Sequence, residues 1–296
     1  MKRNLFIILI AALAIIASSC GTTEKVAVTG RSHKLLVKDA EILALSKQQY
    51  TEILSKSKLS TDQANSQMVK RVGQRLATAV EAYLREHGAE AEIANYSWEF
   101  NLVADNQVNA FCMPGGKIVV YEGILPVTQD EASLAIVLGH EIAHAVAKHS
   151  AEQISKQMRQ QQGTKIVGGI ISVAAGSTVG NAATSLAKTG FSLANLKYSR
   201  NNESEADYMG IVFAAMAGYD PQVAIPFWQR MASLSSNKKS EFVSDHPSDE
   251  NRIKHLTEKM PEALTYYKPQ PKETPKTTAK TATKTTTKSK TTAKKK

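Results

Sequence analysis

Apolar residues recur at close to helical spacing from Lys34 onward, which predicts that the first part of the body is helical. A second helix is predicted over residues 61–86, because apolar side chains follow one side of this stretch. Ser60 precedes it as a candidate N-cap, and Gly88 follows its carboxyl end. Together these segments predict that the first third of the body consists largely of helices.

A small β-sheet is predicted to follow. Residues 96–103 alternate between apolar or aromatic and polar side chains, and Lys117–Tyr121 is a short run rich in β-branched residues. The sequence Pro114-Gly115-Gly116 separates the two stretches and is typical of a turn. Residues 22–30 are polar and also favour extended structure, and we interpret them as a tether rather than as part of the core.

Long helices are predicted in the second half of the chain. One begins at Thr128-Gln129-Asp130-Glu131, a capping-box pattern, and its apolar run continues to about Lys156. Others are predicted over residues 202–216 and 251–260. Residues 166–187 carry no charge and are rich in small residues, which indicates a helical hairpin that is buried or in contact with a membrane. The predicted fold class is therefore α+β and mostly helical.

The amino end of the chain has the pattern of a secretory signal peptide over residues 1–19. Two basic residues precede an apolar run, and small residues follow it up to Cys20. This arrangement resembles the bacterial lipobox, which implies cleavage before Cys20, lipidation of its sulfur, and a lipid-anchored tether over residues 20–33. An uncleaved membrane anchor is the alternative, but the apolar run is shorter than the ~20 residues that a spanning helix needs.

The formal charge of +10 is concentrated at the two ends of the chain. Residues 268–296 contain ten Lys and one Glu and no apolar residue larger than Ala, which predicts a disordered tail. Without this tail and the two basic residues after Met1, the chain has a net charge of −1. A nucleic-acid surface needs Lys and Arg clustered on a folded face, so we expect no nucleic-acid partner. With Cys20 lipidated, Cys112 would be the only thiol, and no internal disulfide is expected.

The candidate chemistry is concentrated in His140-Glu141-Ile142-Ala143-His144. Two His residues four positions apart lie one turn apart on the same helix face, so both imidazoles can reach one ion. Zinc binds neutral imidazole nitrogens, and catalytic zinc sites combine three protein ligands with an open position for water. Glu141 would lie beside that water and act as the general base of peptide hydrolysis.

A third ligand is expected from the acidic segment at residues 203–207. Glu203 and Asp207 are four residues apart and share a helix face, so one can bind the zinc while the other accepts the free ring N–H of a ligating His. Glu205 would point to another side of this helix. His149 is assigned no role, because nine residues beyond His140 on one continuous helix is the opposite face.

These motifs resemble those of the gluzincin metallopeptidase family forty-eight, which includes prenyl-protein proteases, the HtpX heat-shock protease, the mitochondrial Oma protease and periplasmic lipoprotein proteases. The resemblance extends from about Val28 to Leu256. It rests on Val28-Thr29-Gly30-Arg31, Asn109-Ala110-Phe111 with Pro114-Gly115-Gly116, residues 140–144, Tyr198-Ser199-Arg200, residues 203–207, and His246-Pro247 with Arg252-Ile253. It implies a zincin-like metallopeptidase domain over residues 34–267 with a small β-sheet and an active-site helix, one Zn²⁺ per chain, Glu203 as the third ligand and Asp207 as the partner of a ligating His.

The same resemblance implies further roles. In periplasmic members the His of the His-Pro motif can cap the zinc in a resting state, which would make His246 a removable fourth ligand and a brake on activity. Alternatively, His246 or Arg252 stabilises the oxyanion of the tetrahedral intermediate. Asn109, Ala110 and Phe111 resemble the edge strand of the family, which holds an extended substrate by main-chain hydrogen bonds.

The predicted function is that of a zinc-dependent endopeptidase of the bacterial cell envelope that hydrolyses misfolded or misassembled envelope proteins. Lipid on Cys20 would hold it at a membrane, and Gly21 after the lipid site resembles outer-membrane sorting, with the protein facing the periplasm. One alternative is a zinc-stabilised chaperone or assembly lipoprotein with little proteolysis. Another is a surface-binding lipoprotein whose Lys-rich tail docks anionic polymer.

Overall fold

The computed structural model of the protein describes residues 22–167, 192–235, 242, 246 and 250–269. Three predictions lie outside these residues. They are the signal peptide of residues 1–19 with the lipidated Cys20, nearly all of the helical hairpin at residues 166–187, and the tail beyond residue 269.

Helices account for most of the described chain, and the strands form two small sheets, which confirms the predicted mostly helical α+β fold. The helices are α1 (Asp39–Lys56), α2 (Gln63–Glu86), α3 (Glu90–Ile93), α4 (Leu125–Thr128), α5 (Glu131–Val146), α6 (His149–Val167), α7 (Arg200–Met216), α8 (Ala224–Ser235) and α9 (Glu250–Thr265). The strands are β1 (Thr22–Lys25), β2 (Ser32–Leu35), β3 (Glu99–Val103), β4 (Ala110–Met113) and β5 (Lys117–Tyr121). None of the described helices is long and apolar enough to cross a membrane.

Strands β1 and β2 pair as an antiparallel hairpin near the amino end. Val26 and Leu35 of this hairpin are buried, so it packs onto the body of the domain. The hairpin includes most of the stretch that we interpreted as a tether. Helix α1 begins at Asp39 rather than at Lys34, because Ser32–Leu35 pairs with β1 instead of continuing the helical pattern.

Helix α2 begins after Asp62, and the prediction that Ser60 caps it is wrong. The Asp62 carboxylate accepts a hydrogen bond from the backbone N–H of Asn65 at 3.0 Å. The Ser60 backbone N–H instead donates to the carbonyl of Leu102, while Leu59 forms a β-bridge with Val103. The chain at residue 60 is therefore held in an extended conformation beside β3, and the helix starts only beyond it.

The second sheet has the strand order β3-β5-β4, so β4 forms one of its edges. Strand β3 runs parallel to β5, and β4 runs antiparallel to it. The turn between β4 and β5 contains Gly115 and Gly116 at φ values of 85° and 78°, a region that residues other than glycine rarely adopt. Cys112 lies in β4 as a buried free thiol.

The helix predicted over residues 128–156 is two helices. Thr128 ends α4, and Asp130 is the N-cap of α5, accepting a hydrogen bond from the Ser133 N–H at 2.7 Å, so the predicted capping role of Thr128 is wrong. Helix α5 ends at Val146. Lys148 then has a φ of 54°, which breaks the helical path, and α6 starts at His149 in a new direction.

Helix α5 is the centre of the domain, and its residues from Ser133 to Val146 are all buried. It touches α7 more closely than ordinary side chains permit. A Cβ atom placed on Gly139 would lie 2.7 Å from the carbonyl oxygen of Gly210, and one on Gly210 would lie 2.8 Å from the backbone nitrogen of His140. The two glycines thus allow the helix backbones to meet, which brings the His140 turn of α5 beside the acidic turn of α7.

Candidate metal centre

Four buried side chains from three parts of the fold converge at the contact between α5 and α7. His140 and His144 belong to α5, Glu203 to α7, and His246 lies between α8 and α9. Each side chain contributes one imidazole nitrogen or carboxylate oxygen, and these four atoms all lie within 4.8 Å of one another. His144 and His140 approach through their Nε2 atoms at 3.1 Å, and His246 Nδ1 lies 3.1 Å from each Glu203 oxygen.

These separations fit a small cation. Tetrahedral ligands at zinc distances lie about 3.3 Å from one another. His140 Nε2 lies 3.2 Å from His246 Nδ1 and 3.4 Å from Glu203, while His144 Nε2 lies 3.6 Å from Glu203. Several imidazole nitrogens aimed at one buried point need a cation or protons between their lone pairs. Three imidazoles and one carboxylate are therefore a donor set that could hold zinc.

The second nitrogen of His140 is held by Asp207. His140 Nδ1 lies 2.9 Å from Asp207 Oδ1. Burial lowers the pKa of His140, but hydrogen bonds to Asp207 and Glu203 outweigh it and raise the pKa to about 9. A ligating imidazole is neutral, so zinc at Nε2 would replace the proton there while Asp207 keeps the N–H at Nδ1.

Glu141 lies on α5 beside this cluster and is 3% exposed. Its Oε1 is 3.6 Å from His246 Nε2 and makes no hydrogen bond to any residue that the structure describes. Burial raises the pKa of Glu141, while His246, His140 and a backbone hydrogen bond from Cys112 act against that rise. A buried carboxylate oxygen without a hydrogen bond is uncommon, and a water bound beside the cluster could supply the missing partner.

Arg252 of α9 lies on the Asp207 side of the cluster. Its Nη2 atom donates to Asp207 Oδ1 at 2.5 Å and lies 3.9 Å from Glu203, and its Nη1 atom donates to the carbonyl of His246 at 3.3 Å. The guanidinium carbon stacks 3.3 Å from the ring centroid of Trp228. Arg252 thereby neutralises the charge of Asp207 and holds the backbone carbonyl of His246 in place.

An aromatic shell surrounds the imidazoles. Tyr198 stacks on His144 at 4.1 Å between ring centroids, and Phe242 stacks on His246 at 4.7 Å. Trp228, which covers Arg252, also packs edge-on against His140. Sequence reasoning did not identify Trp228 or Phe242, because neither differs in spacing from an ordinary core residue.

His149 lies next to the cluster, so the prediction that it occupies the opposite face of the helix is wrong. The break at Lys148 turns His149 back toward His144, and their Nδ1 atoms are 2.9 Å apart. His149 Nε2 lies 3.0 Å from Glu205 Oε2. Glu205 points away from Asp207, as the helical spacing predicts, and toward His149.

The edge strand β4 runs alongside α5 at the level of Glu141. Asn109 accepts a backbone hydrogen bond from Tyr121, so pairing with β5 uses the backbone of residues 109, 111 and 113. The backbone groups of Ala110 and Cys112 therefore point away from β5, toward the outer edge of the sheet, which is buried. The Asn109 side chain accepts a hydrogen bond from the Ala110 N–H, and the Phe111 side chain is buried against Tyr121.

The sequence of this chain is similar to those of known proteins. The family model described as Peptidase family M48 matches residues 63–260 of this chain. A mitochondrial metalloendopeptidase OMA1 of Schizosaccharomyces pombe is 40% identical over 59% of this chain and 50% of its own length. Human metalloendopeptidase OMA1 is 30% identical over 80% of this chain and 46% of its own length. The beta-barrel assembly-enhancing protease of Escherichia coli is 25% identical over 86% of this chain and 51% of its own length.

The chain thus spans about half the length of these relatives. The family match nevertheless covers more than half of this chain, and it includes Glu141 together with all four clustered side chains. The family expected from the sequence motifs is confirmed: this chain belongs to peptidase family M48, a family of zinc metallopeptidases.

Proposed function

We propose that this chain is a zinc-dependent endopeptidase of the bacterial cell envelope that cleaves misfolded or misassembled envelope proteins. The observation that carries the catalytic part is the convergence of His140, His144 and Glu203 beside the unpaired Oε1 of Glu141. Catalytic zinc sites combine three protein ligands with a bound water, and an adjacent carboxylate can serve as the base for that water.

Different groups of the chain carry out the separate steps of hydrolysis. Bound zinc supplies Lewis-acid chemistry to a water and to the scissile carbonyl. Glu141 takes the proton of the water and later passes it to the leaving amine. The outer edge of β4 would hold the substrate extended as an added strand, once the Ala110 and Cys112 N–H groups exchange their present acceptors, Asn109 and Glu141, for the substrate.

His246 serves as a brake in this scheme. Its Nδ1 atom lies 3.2 Å from His140 Nε2 and 3.1 Å from Glu203, so it could bind the same ion. Its Nε2 atom is 3.6 Å from Glu141. In this position it fills the place that water or substrate needs. Withdrawal of His246 would open the site, and the alternative role of stabilising the oxyanion, for His246 or for Arg252, predicts slower rather than faster turnover when the side chain is removed.

The cellular assignment rests on the sequence of the amino end and on one group of relatives. The lipobox-like segment before Cys20 supports a lipoprotein that faces the periplasm from the outer membrane. The beta-barrel assembly-enhancing proteases support envelope proteins as substrates, although the OMA1 relatives are mitochondrial. The wild type should incorporate labelled palmitate, and a Cys20→Ser variant should not. A wild type that incorporates no label would argue for the uncleaved anchor.

The catalytic proposal is tested by pairing zinc analysis with cleavage of unfolded casein. The full-length chain in detergent is compared with Glu141→Gln and with Glu258→Gln, an exposed glutamate of α9 that serves as the matched control. Stoichiometric zinc in all three proteins, with cleavage lost only in Glu141→Gln, is the expected result. His246→Ala is assayed as well, and zinc without cleavage both in it and in the wild type would favour the alternative hypothesis of a zinc-stabilised chaperone. A wild type without zinc would overturn the proposal.

A further inference from the structure

A line of buried and partly buried hydrogen bonds leads from His144 to the amino-terminal hairpin. It passes from His144 to His149, from His149 to Glu205, and from Glu205 to Arg31 and Thr29. We propose that this set of five residues, called here the His149 bridge, positions His144 for metal binding. The inference rests on the proposed zinc site and adds His149 and Glu205 to it as positioning residues.

The proton positions along the bridge are fixed by its geometry. His144 directs Nε2 into the cluster, so its Nδ1 must carry the proton when the ring is a neutral ligand. That N–H can donate only if the facing Nδ1 of His149 is an acceptor. His149 then carries its proton on Nε2, which donates to Glu205 Oε2 at 3.0 Å. Both rings are neutral in this arrangement, and a doubly protonated His149 would set two N–H groups against each other.

Glu205 is anchored at its far side. Arg31 Nε donates to Oε2 at 2.6 Å, and the Thr29 hydroxyl donates to Oε1. The Arg31 guanidinium also makes two hydrogen bonds to Glu152 of α6, at 3.0 and 2.8 Å. The Glu205 side chain is only 6% exposed, so Arg31 supplies the charge that its burial requires. Thr29 and Arg31 of the Val28-Thr29-Gly30-Arg31 motif therefore hold the Glu205 carboxylate in position.

The two ligating imidazoles are therefore held by different means. Asp207 bonds His140 directly, whereas Glu205 reaches His144 through the neutral ring of His149. The backbone of Lys148, with its positive φ, is what turns His149 into this position. Lys148 is itself fixed by Glu24 of β1 and Asp39 of α1 at 3.0 and 2.9 Å. The hairpin and α1 thus define the orientation of a metal ligand on α5.

The experiment measures zinc affinity by competition with a chromophoric chelator, using the full-length chain in detergent. His149→Phe keeps the ring volume and removes both hydrogen bonds, while His149→Gln offers a carbonyl to His144 and an N–H to Glu205. We expect His149→Phe to bind zinc about 10- to 100-fold more weakly, and His149→Gln to recover most of that loss. His87→Phe, at the exposed end of α2, is the control and should bind zinc as the wild type does.

A second readout needs no variant. Nitrogen-15 NMR of the zinc-loaded wild type should show protons on Nδ1 of His144 and on Nε2 of His149. Protonation of His149 at Nδ1, or zinc affinity of His149→Phe within twofold of wild type, would overturn the inference. A wild type that binds no zinc would instead overturn the proposed function, so the two failures are distinguishable.

Discussion

His246 Nε2 lies 3.6 Å from Glu141 Oε1, the one oxygen of the candidate base that makes no hydrogen bond among the described residues. The same imidazole presents Nδ1 to Glu203 at 3.1 Å. One side chain therefore lies next to both the candidate metal ligand Glu203 and the candidate base Glu141. If this closed arrangement is favoured by about 1.4 kcal/mol, its removal increases the open population about tenfold.

His246→Ala is accordingly expected to cleave casein faster than the wild type, by up to about tenfold in kcat/KM. Zinc content should remain stoichiometric, because His140, His144 and Glu203 still provide three ligands. Steady-state cleavage with parallel zinc analysis measures both quantities. Slower cleavage with zinc retained would assign His246 to stabilisation of the oxyanion.

The close contact between Gly139 and Gly210 should be intolerant of a single methyl group. Gly139→Ala would place Cβ 2.7 Å from the Gly210 carbonyl oxygen, so the two helices must separate. We expect a loss of about 1–3 kcal/mol in the free energy of unfolding together with weaker zinc binding, because His140 and Glu203 lie on opposite helices. Denaturant unfolding and chelator competition test this, with Thr78→Ala on the exposed face of α2 as control. Unchanged zinc affinity would show that the helix spacing does not set the site.

Much of the site follows from local rules. His140 and His144 are four residues apart, and so are Glu203 and Asp207. Helix geometry alone therefore predicts that the two members of each pair share a helix face. That the pairs face one another depends on the glycine contact between α5 and α7, which no local pattern reveals. The placement of His246 depends on long-range packing, and only the family resemblance pointed to it.

The error over His149 has a specific physical origin. The apolar run after His144 gives no sign of a break, since Lys148 is an ordinary helix former. In its left-handed conformation the Lys148 side chain bonds Glu24 and Asp39, which lie more than 100 residues away and are not visible to a local pattern. Ser60 and Thr128 fail as caps for a related reason, because β-bridging and a short preceding helix shift the helix starts by a few residues.

The ion pair between Glu152 and Arg31 predicts sensitivity to acid. Burial alone would raise the pKa of Glu152, but the nearby His33 imidazole at 3.7 Å and the hydrogen bonds from Arg31 lower it well below its ordinary value. The unfolded chain therefore binds a proton at higher pH than the folded chain does. The contribution of Glu152 is present at neutral pH and is lost as pH falls below about 5.

Glu152→Gln should cost about 1–2 kcal/mol at pH 7, a value reduced for partial exposure, and should show a weaker decline in stability toward low pH. Urea unfolding of both proteins at several pH values gives the difference, in which effects common to both proteins cancel. A constant difference from pH 7 to pH 3 would contradict the assignment.

Removal of zinc should destabilise the whole domain, because the cluster joins α5 to α7 and to the segment that carries His246. Without a cation, three imidazoles and a carboxylate stay buried within 4.8 Å of one another and must be satisfied by protons. Zinc at about 1,000 times its dissociation constant stabilises the folded state by about 4 kcal/mol. Scanning calorimetry should therefore show a clear fall in Tm on chelation, reversed by added zinc but not by magnesium.

The His144→Ala variant should lose most of this response to chelation, since one of the three ligands is gone. A response that persists undiminished in His144→Ala would place the stabilising ion elsewhere, and it would remove the link between the metal and the contact of α5 with α7.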